Sequence, residues 1–355
     1  MSNNSGTSNV KIVDEQKDQE NLKEKGQNKE IIEKDFVPHF LPTYRIKTML
    51  FPVPIIIAII FAGVLSYITY SVAGVQVDGG YFPEGEYGAI GGILNGLIFT
   101  AIAVVSAFGI IFLIRKLGLN ILKYIFGLSF GFLGFTISLL FGQVINFLIF
   151  VQFPESASVV SLYTYINDIV LPVFLGILTI FLIFKYFTSK SIKTKNFIVL
   201  YIGLLTSAAL SILMPLWTTL AILIGISIWD IFAVLSKKGP IKEMIDLASN
   251  NSEEDNFTKE EIIRKVESGE AIYDTSKLEI GIGDLVFYSM LTSSALIQTN
   301  NLIIMILTSF AIIFGTGITI LGLKRNKILP GLPISIFLGI GTMILSWLII
   351  SILFM

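Results

Sequence analysis

Two aspartates stand in long apolar surroundings in this 355-residue chain: Asp230, within Ile226-Ser227-Ile228-Trp229-Asp230-Ile231-Phe232, and Asp284, within Gly281-Ile282-Gly283-Asp284-Leu285-Val286. An ionisable group placed in hydrocarbon is costly, so it marks a polar cavity, an ion path or a partner group. Two carboxyl groups that share a site cannot both ionise cheaply, and such a pair holds one proton near neutral pH. The ionised member can then take a proton from water while the protonated member polarises a peptide carbonyl. Coupled in this way, the two titrate as a dyad. The same acids equally suit a cation or proton pathway, so the residue types alone leave a hydrolase and a conducting membrane protein both open.

Whether the two acids share a site depends on the elements that carry them. With 54% hydrophobic residues, 14% charged residues and a mean hydropathy of +0.79, the chain reads as a membrane protein. A net charge of -1 gives no basic excess for a phosphate backbone, so nucleic acid is not an expected partner. There is no cysteine, and His39 is the single histidine, which excludes thiolate nucleophiles and Cys- or His-rich metal centres. No metal and no cofactor is expected. A metalloprotease would need HExxH and a rhomboid-type enzyme a membrane Ser with a His, whereas His39 precedes the first span.

Nine apolar stretches have the length and freedom from charge of spanning helices: 48–74, 88–114, 124–151, 169–184, 197–213, 216–236, 281–298, 301–323 and 332–354. The expected fold is therefore all-α and polytopic, with nine transmembrane helices. Tight hairpins are expected at Met214-Pro215 and Thr299-Asn300. Residues 1–47 are polar enough to be a disordered cytosolic tail without a cleavable leader, and 237–279 reads as a polar cytosolic loop between spans 1–6 (48–236) and spans 7–9 (280–355). Arg115, Lys116, Lys123, Lys185, Lys190, Lys193, Lys195, Lys324, Arg325 and Lys327 all fall on one side of this arrangement. The opposite loops carry Asp78, Glu84, Glu86, Glu155 and Asp168, which puts the N-terminus in the cytosol.

Asp230 lies seven residues before Lys237, and Asp284 five residues after Glu279. At the rise of an α-helix both fall about 8 to 11 Å inside the cytosolic edge, so they can meet. Glycines beside Asp284 allow close approach of a helix or a substrate backbone. Pro330-Gly331-Leu332-Pro333 opens the last span on the same side. Lys277-Leu278-Glu279-Ile280 alternates in polarity, as suits a short strand to which an extended peptide could add; Leu278, Glu279 and Ile280 are thus candidate substrate-binding residues.

Three segments in this order resemble the presenilin family: Ile226 to Leu235 with Lys238-Gly239-Pro240, the Gly281-Ile282-Gly283-Asp284 segment through Phe287-Tyr288-Ser289, and Leu329 to Ile336. The resemblance implies a presenilin-like fold and an intramembrane-cleaving aspartyl endopeptidase with Asp230 and Asp284 catalytic. It implies Trp229, Gly281 and Gly283 as active-site motif residues and Pro330, Gly331, Leu332 and Pro333 as the segment shaping the site and binding substrate. Two departures stand out: Trp229 replaces the family's tyrosine and Gly331 its alanine. A third possibility beside the protease and the conducting protein, a related GxGD prepilin-type peptidase, fits the closing Pro-Gly-Leu-Pro segment and the nine spans less well.

The partners implied are transmembrane-helix protein substrates with external N-termini, and membrane lipid. No obligate subunit is demanded, as in single-chain microbial homologues. The expected setting is the cell membrane of an archaeon, with an internal membrane of a nucleated cell as the alternative. Within the loop, Phe257-Thr258-Lys259-Glu260-Glu261-Ile262 reads as a capping box with its staple, and autocleavage there is left open. Gly92-x-x-x-Gly96 and Gly127-x-x-x-Gly131 are expected to pack spans closely, and Asn95, Gln143 and Asn146 to hydrogen-bond between spans.

Overall fold

The structure, a computed structural model, describes residues 30–32, 42–118, 120–236, 271–273, 277–324 and 330–353. The chain divides into two compact units. Among the described residues lie nine long helices: α1 (Thr48–Val72), α2 (Glu84–Leu117), α3 (Ile121–Phe150), α4 (Ala157–Thr188), α5 (Ile192–Leu213), α6 (Leu216–Leu235), α7 (Ile282–Thr299), α8 (Leu302–Lys324) and α9 (Leu332–Leu353). Four short strands accompany them: β1 (Glu30–Ile32), β2 (Thr43–Lys47), β3 (Ala271–Tyr273) and β4 (Lys277–Gly281). The smaller unit contributes the parallel pair β1–β3. The larger contains every long helix and the antiparallel pair β2–β4.

Eight of the helices are long and apolar enough to cross a membrane. The ninth, α7, has 18 residues but carries many hydroxyls. From Leu285 to Ile297 every residue but Phe287 is buried, against α1, α5, α6, α8 and α9. A helix walled in by other helices meets little lipid, so it can be less apolar than its neighbours. Tyr288, Leu291 and Leu296 lie in the main core cluster with Ile55, Leu223, Ile312 and Ile336.

Punctuation follows local chemistry. Gly118 ends α2 at φ 78°, and Asn300 turns α7 into α8 at φ 48°, a left-handed position that asparagine tolerates. Met214-Pro215 turns α5 into α6, as expected from the sequence. The fourth span is longer than expected: α4 starts at Ala157 behind a Ser156 cap, and Asp168 lies in a widened turn of that helix instead of a loop. Both glycine pairs are intramolecular. Gly92 and Gly96 meet Trp217 and Ala221 of α6, while Gly127 and Gly131 face Phe187 and Ile183 of α4.

Of the segment expected to be a disordered tail, the described residues Thr43–Lys47 form a strand. The strand forms because Tyr44 and Ile46 pack on the core while Arg45 between them pairs with Glu279 at 2.8 Å. The expected capping box at 258–261, most of the 237–279 loop and His39 lie outside the described residues.

Candidate active site

Asp230 sits near the end of α6 and Asp284 in the first turn of α7. Both acids reach the short turn that opens α9. Oδ2 of Asp230 accepts the Leu332 N–H at 3.2 Å, with the Gly331 N–H also directed at that carboxylate. A helix N-terminus has unpaired N–H groups and a partial positive charge, so a carboxylate is well placed there. Asp284 approaches Gly331 from the other helix: a β-carbon on that glycine would lie 3.5 Å from Oδ2 and 3.8 Å from Oδ1. The two carboxyl groups are close enough to act on one another electrostatically.

Asp284 is the third residue of α7, counted from the N-cap Gly281, whose backbone N–H is directed back at its carboxylate. This is half of a capping box, built with Asp instead of Glu. A β-carbon at Gly281 would stand 3.6 Å from Asp284 Oδ2, so this glycine lies against the carboxylate. Gly283 does not: a β-carbon there would face Phe287, 3.8 Å away on the next turn. Trp229 turns elsewhere too. Its ring packs edge-on to Phe108 of α2 at 5.8 Å and against Phe232 at 5.4 Å, so its ring contacts are made with the α2 side.

Pro330, Leu332 and Pro333 are buried, and Gly331 is partly so. The Gly331 carbonyl accepts the Tyr288 hydroxyl at 3.1 Å. Tyr288 is one helical turn beyond Asp284 and therefore on its face. Ser335 of α9 and Thr316 of α8 lie beside the same phenol and hydrogen-bond to each other at 3.0 Å. That meeting needs close backbones, and Gly315 supplies them: a β-carbon there would be 2.6 Å from Ser335 Cα. In the sequence Tyr288 stands only as a neighbour of the motif, and its spacing of four from Asp284 is the one signal of its place.

Leu278, Glu279 and Ile280 form β4, in register with Ile46, Arg45 and Tyr44 of β2. Asn196 of α5 donates to the Arg45 carbonyl at 2.7 Å and accepts the Arg45 N–H at 2.9 Å. The Arg45 backbone N–H and C=O therefore point away from β4, and in an antiparallel pair those of its partner Glu279 point away from β2. The Ile282 N–H, bonded to the Pro42 carbonyl at 3.2 Å, fixes the same alternation. The backbone N–H and C=O of Glu279 thus lie on the outer edge of β4, while those of Leu278 and Ile280 serve the β2 pairing. No strand covers that outer edge among the described residues. The Glu279 side chain is taken by Arg45 and by the Thr43 hydroxyl at 3.2 Å. No group of three or more potential metal ligands occurs among the described residues.

Comparison with known proteins bears on this arrangement. The family model described as Presenilin matches residues 44–257 and 251–354. Presenilin-B of Dictyostelium discoideum is 34% identical over 168 residues, which cover 45% of this chain and 33% of that protein's length. A presenilin-like protein of Arabidopsis thaliana is 24% identical over 332 residues, covering 74% of this chain and 79% of the relative. Among solved structures, a presenilin family intramembrane aspartate protease superposes with a TM-score of 0.50 at 14% identity, over 84% of this chain and 96% of its own.

Proposed function

We propose that this chain, which belongs to the presenilin family, is a membrane-embedded aspartic endopeptidase that hydrolyses peptide bonds inside transmembrane segments. Asp230 and Asp284 are its catalytic pair. The observation that carries the reading is their convergence, from two different helices, on the Gly331–Leu332 turn.

One carboxylate removes a proton from water as the water oxygen attacks the scissile carbonyl carbon. The other, protonated, gives its proton to the carbonyl oxygen, forming a neutral gem-diol. Collapse of the diol breaks the C–N bond, with a proton passed to the leaving nitrogen, and the pair returns to one proton. Backbone N–H groups at the two helix starts are directed at the two carboxyl groups and hold them in place.

A substrate helix hides its carbonyls in its own hydrogen bonds, so it must unwind and find another partner for its backbone. The outer edge of β4, with the Glu279 N–H and C=O, offers that partner by strand addition. The strand runs directly into Gly281 and Asp284, which carries a bound segment to the carboxylates.

The test is cleavage of a single-span model substrate in liposomes by the purified chain, beside Asp230→Ala and Asp284→Ala. Cleavage within the span by the wild type alone supports the dyad. Persistent cleavage in either variant overturns it, and an ion conductance lost with the same two substitutions would favour a cation or proton pathway instead.

A further inference from the structure

We propose that Tyr288 is a positioning residue for the Asp230 carboxylate, acting through the single peptide unit that joins Gly331 to Leu332. The inference rests on the protease reading above, in that Asp230 is taken as catalytic. Both ends of this one peptide are held. Its carbonyl accepts the Tyr288 hydroxyl at 3.1 Å, and its N–H donates to Asp230 Oδ2 at 3.2 Å.

A trans peptide is planar, with C=O and N–H pointing in opposite directions, so the unit bridges α7 to α6 as a rigid strut. If the plane turned over, both bonds would break together. The carbonyl oxygen would then face the Asp230 carboxylate, acceptor against acceptor. Gly331 makes such a rotation easy, because a residue without a β-carbon resists few backbone angles. The turn therefore needs an external lock.

Tyr288 is built for that task. It is among the largest fully buried side chains, 2% exposed, and its ring is held in the main core cluster. Its hydroxyl has one proton, given to Gly331, and the mutually bonded hydroxyls of Ser335 and Thr316 lie beside it. Thr316 is itself tied to the Ile312 carbonyl at 2.9 Å, so the hydroxyl cluster is anchored in α8. A merely space-filling tyrosine would not need this set of partners. Phenylalanine would fill the same apolar volume while removing only the lock.

The experiment compares the wild type, Tyr288→Phe, Ser335→Ala and the double variant, each as the full chain in lipid nanodiscs with a single-span model substrate. Positioning through the peptide predicts that Tyr288→Phe lowers kcat by on the order of tenfold to a hundredfold. KM stays within about twofold, since ground-state binding is untouched. The melting temperature stays near the wild-type value, and amide exchange in the segment 331–334 becomes faster. Ser335→Ala gives a smaller loss of kcat, and the double variant is no slower than Tyr288→Phe, because both act through one hydroxyl.

An unchanged kcat with unchanged exchange at 331–334 overturns the proposal, as do losses that multiply in the double variant. If Tyr288→Phe fails to fold, Ser335→Ala decides alone: a lower kcat at wild-type melting temperature supports it, and an unchanged kcat overturns it. A wild type that cleaves nothing refutes the protease reading instead, and the exchange comparison still tests the lock.

Discussion

The carboxylate of Glu84, in the first turn of α2, accepts the backbone N–H of Thr218 in the first turn of α6 at 2.6 Å. It also accepts the Trp217 N–H at 3.3 Å, so one helix caps another. The first N–H groups of a helix have no partner within it, and a negative charge complements them. Asn95 of α2 ties the same corner, donating to the Phe82 carbonyl at 2.9 Å and to Thr218 Oγ1 at 3.1 Å. Because α6 carries Asp230 at its other end, this corner sets the height of that carboxylate. Glu84→Ala should cost about 0.5 to 2 kcal/mol of stability, and Glu84→Gln less, since the amide oxygen still accepts. Thermal unfolding in detergent measures both; equal melting temperatures for all three proteins would refute the cap.

The alternation set by Asn196 makes position 279 the informative one for strand addition. Glu279→Pro deletes an N–H on the outer edge of β4 and should weaken cleavage of every substrate, by on the order of tenfold for one lost hydrogen bond of about 1 to 1.5 kcal/mol. Glu279→Ala removes only the partly exposed Arg45 pair, worth at most about 1 kcal/mol, and should be milder. Ile280→Pro instead strikes the β2 pairing and should show first as lost stability. Cleavage rates that are the same for Glu279→Pro and Glu279→Ala would rule out the outer edge as the template.

At position 331 the available space discriminates by size. A β-carbon there stands 3.5 Å from Asp284 Oδ2, an ordinary contact, so Gly331→Ala should fold and retain cleavage within about tenfold. Gly331→Val adds two further carbons toward the carboxylates and should abolish it. Product appearance for a model substrate distinguishes them; a valine variant as active as the alanine one would mean that the turn is not against the dyad.

Gly96 and Gly109 lie on the same helix and make a matched pair. A β-carbon on Gly96 would meet the Ala221 β-carbon and come within 2.8 Å of its carbonyl carbon, while one on Gly109 has nothing within 4 Å. Gly96→Ala should destabilise by about 1 to 3 kcal/mol through overpacking. Gly109→Ala should be neutral or gain up to about 1 kcal/mol from helix propensity. Chemical denaturation read by tryptophan fluorescence reports both, and similar changes for the two would discount the α2–α6 contact.

Cleavage should follow a bell-shaped pH profile, because the pair works with one proton and fails with none or two. Asp230→Asn and Asp284→Asn should each leave no profile to measure. A rate that rises monotonically across the whole pH range in the wild type would be incompatible with a shared proton.

Hydrophobic span length is a local property, so the sequence by itself located the long helices of the described residues and their order, with Asp230 near the end of one and Asp284 at the start of the next. Local chemistry likewise marked Pro215, Asn300 and the Gly281 turn. Even the motif at 330–333 was readable, since a proline pair beside a span entry is visible without partners.

What each side chain faces was not readable, because that depends on how helices rotate against one another in the bundle. Tertiary packing alone sent Trp229 to Phe108, brought Leu332 to Asp230 across 102 positions, and aimed Glu84 at α6. It ordered Thr43–Lys47, whose polar flanks read as tail, by giving Arg45 both Glu279 and Asn196. The weak apolar signal of α7 has the same origin: a helix buried among others takes its residue types from its neighbours. Only in the assembled bundle do Tyr288 and Asp230 grip opposite ends of one peptide.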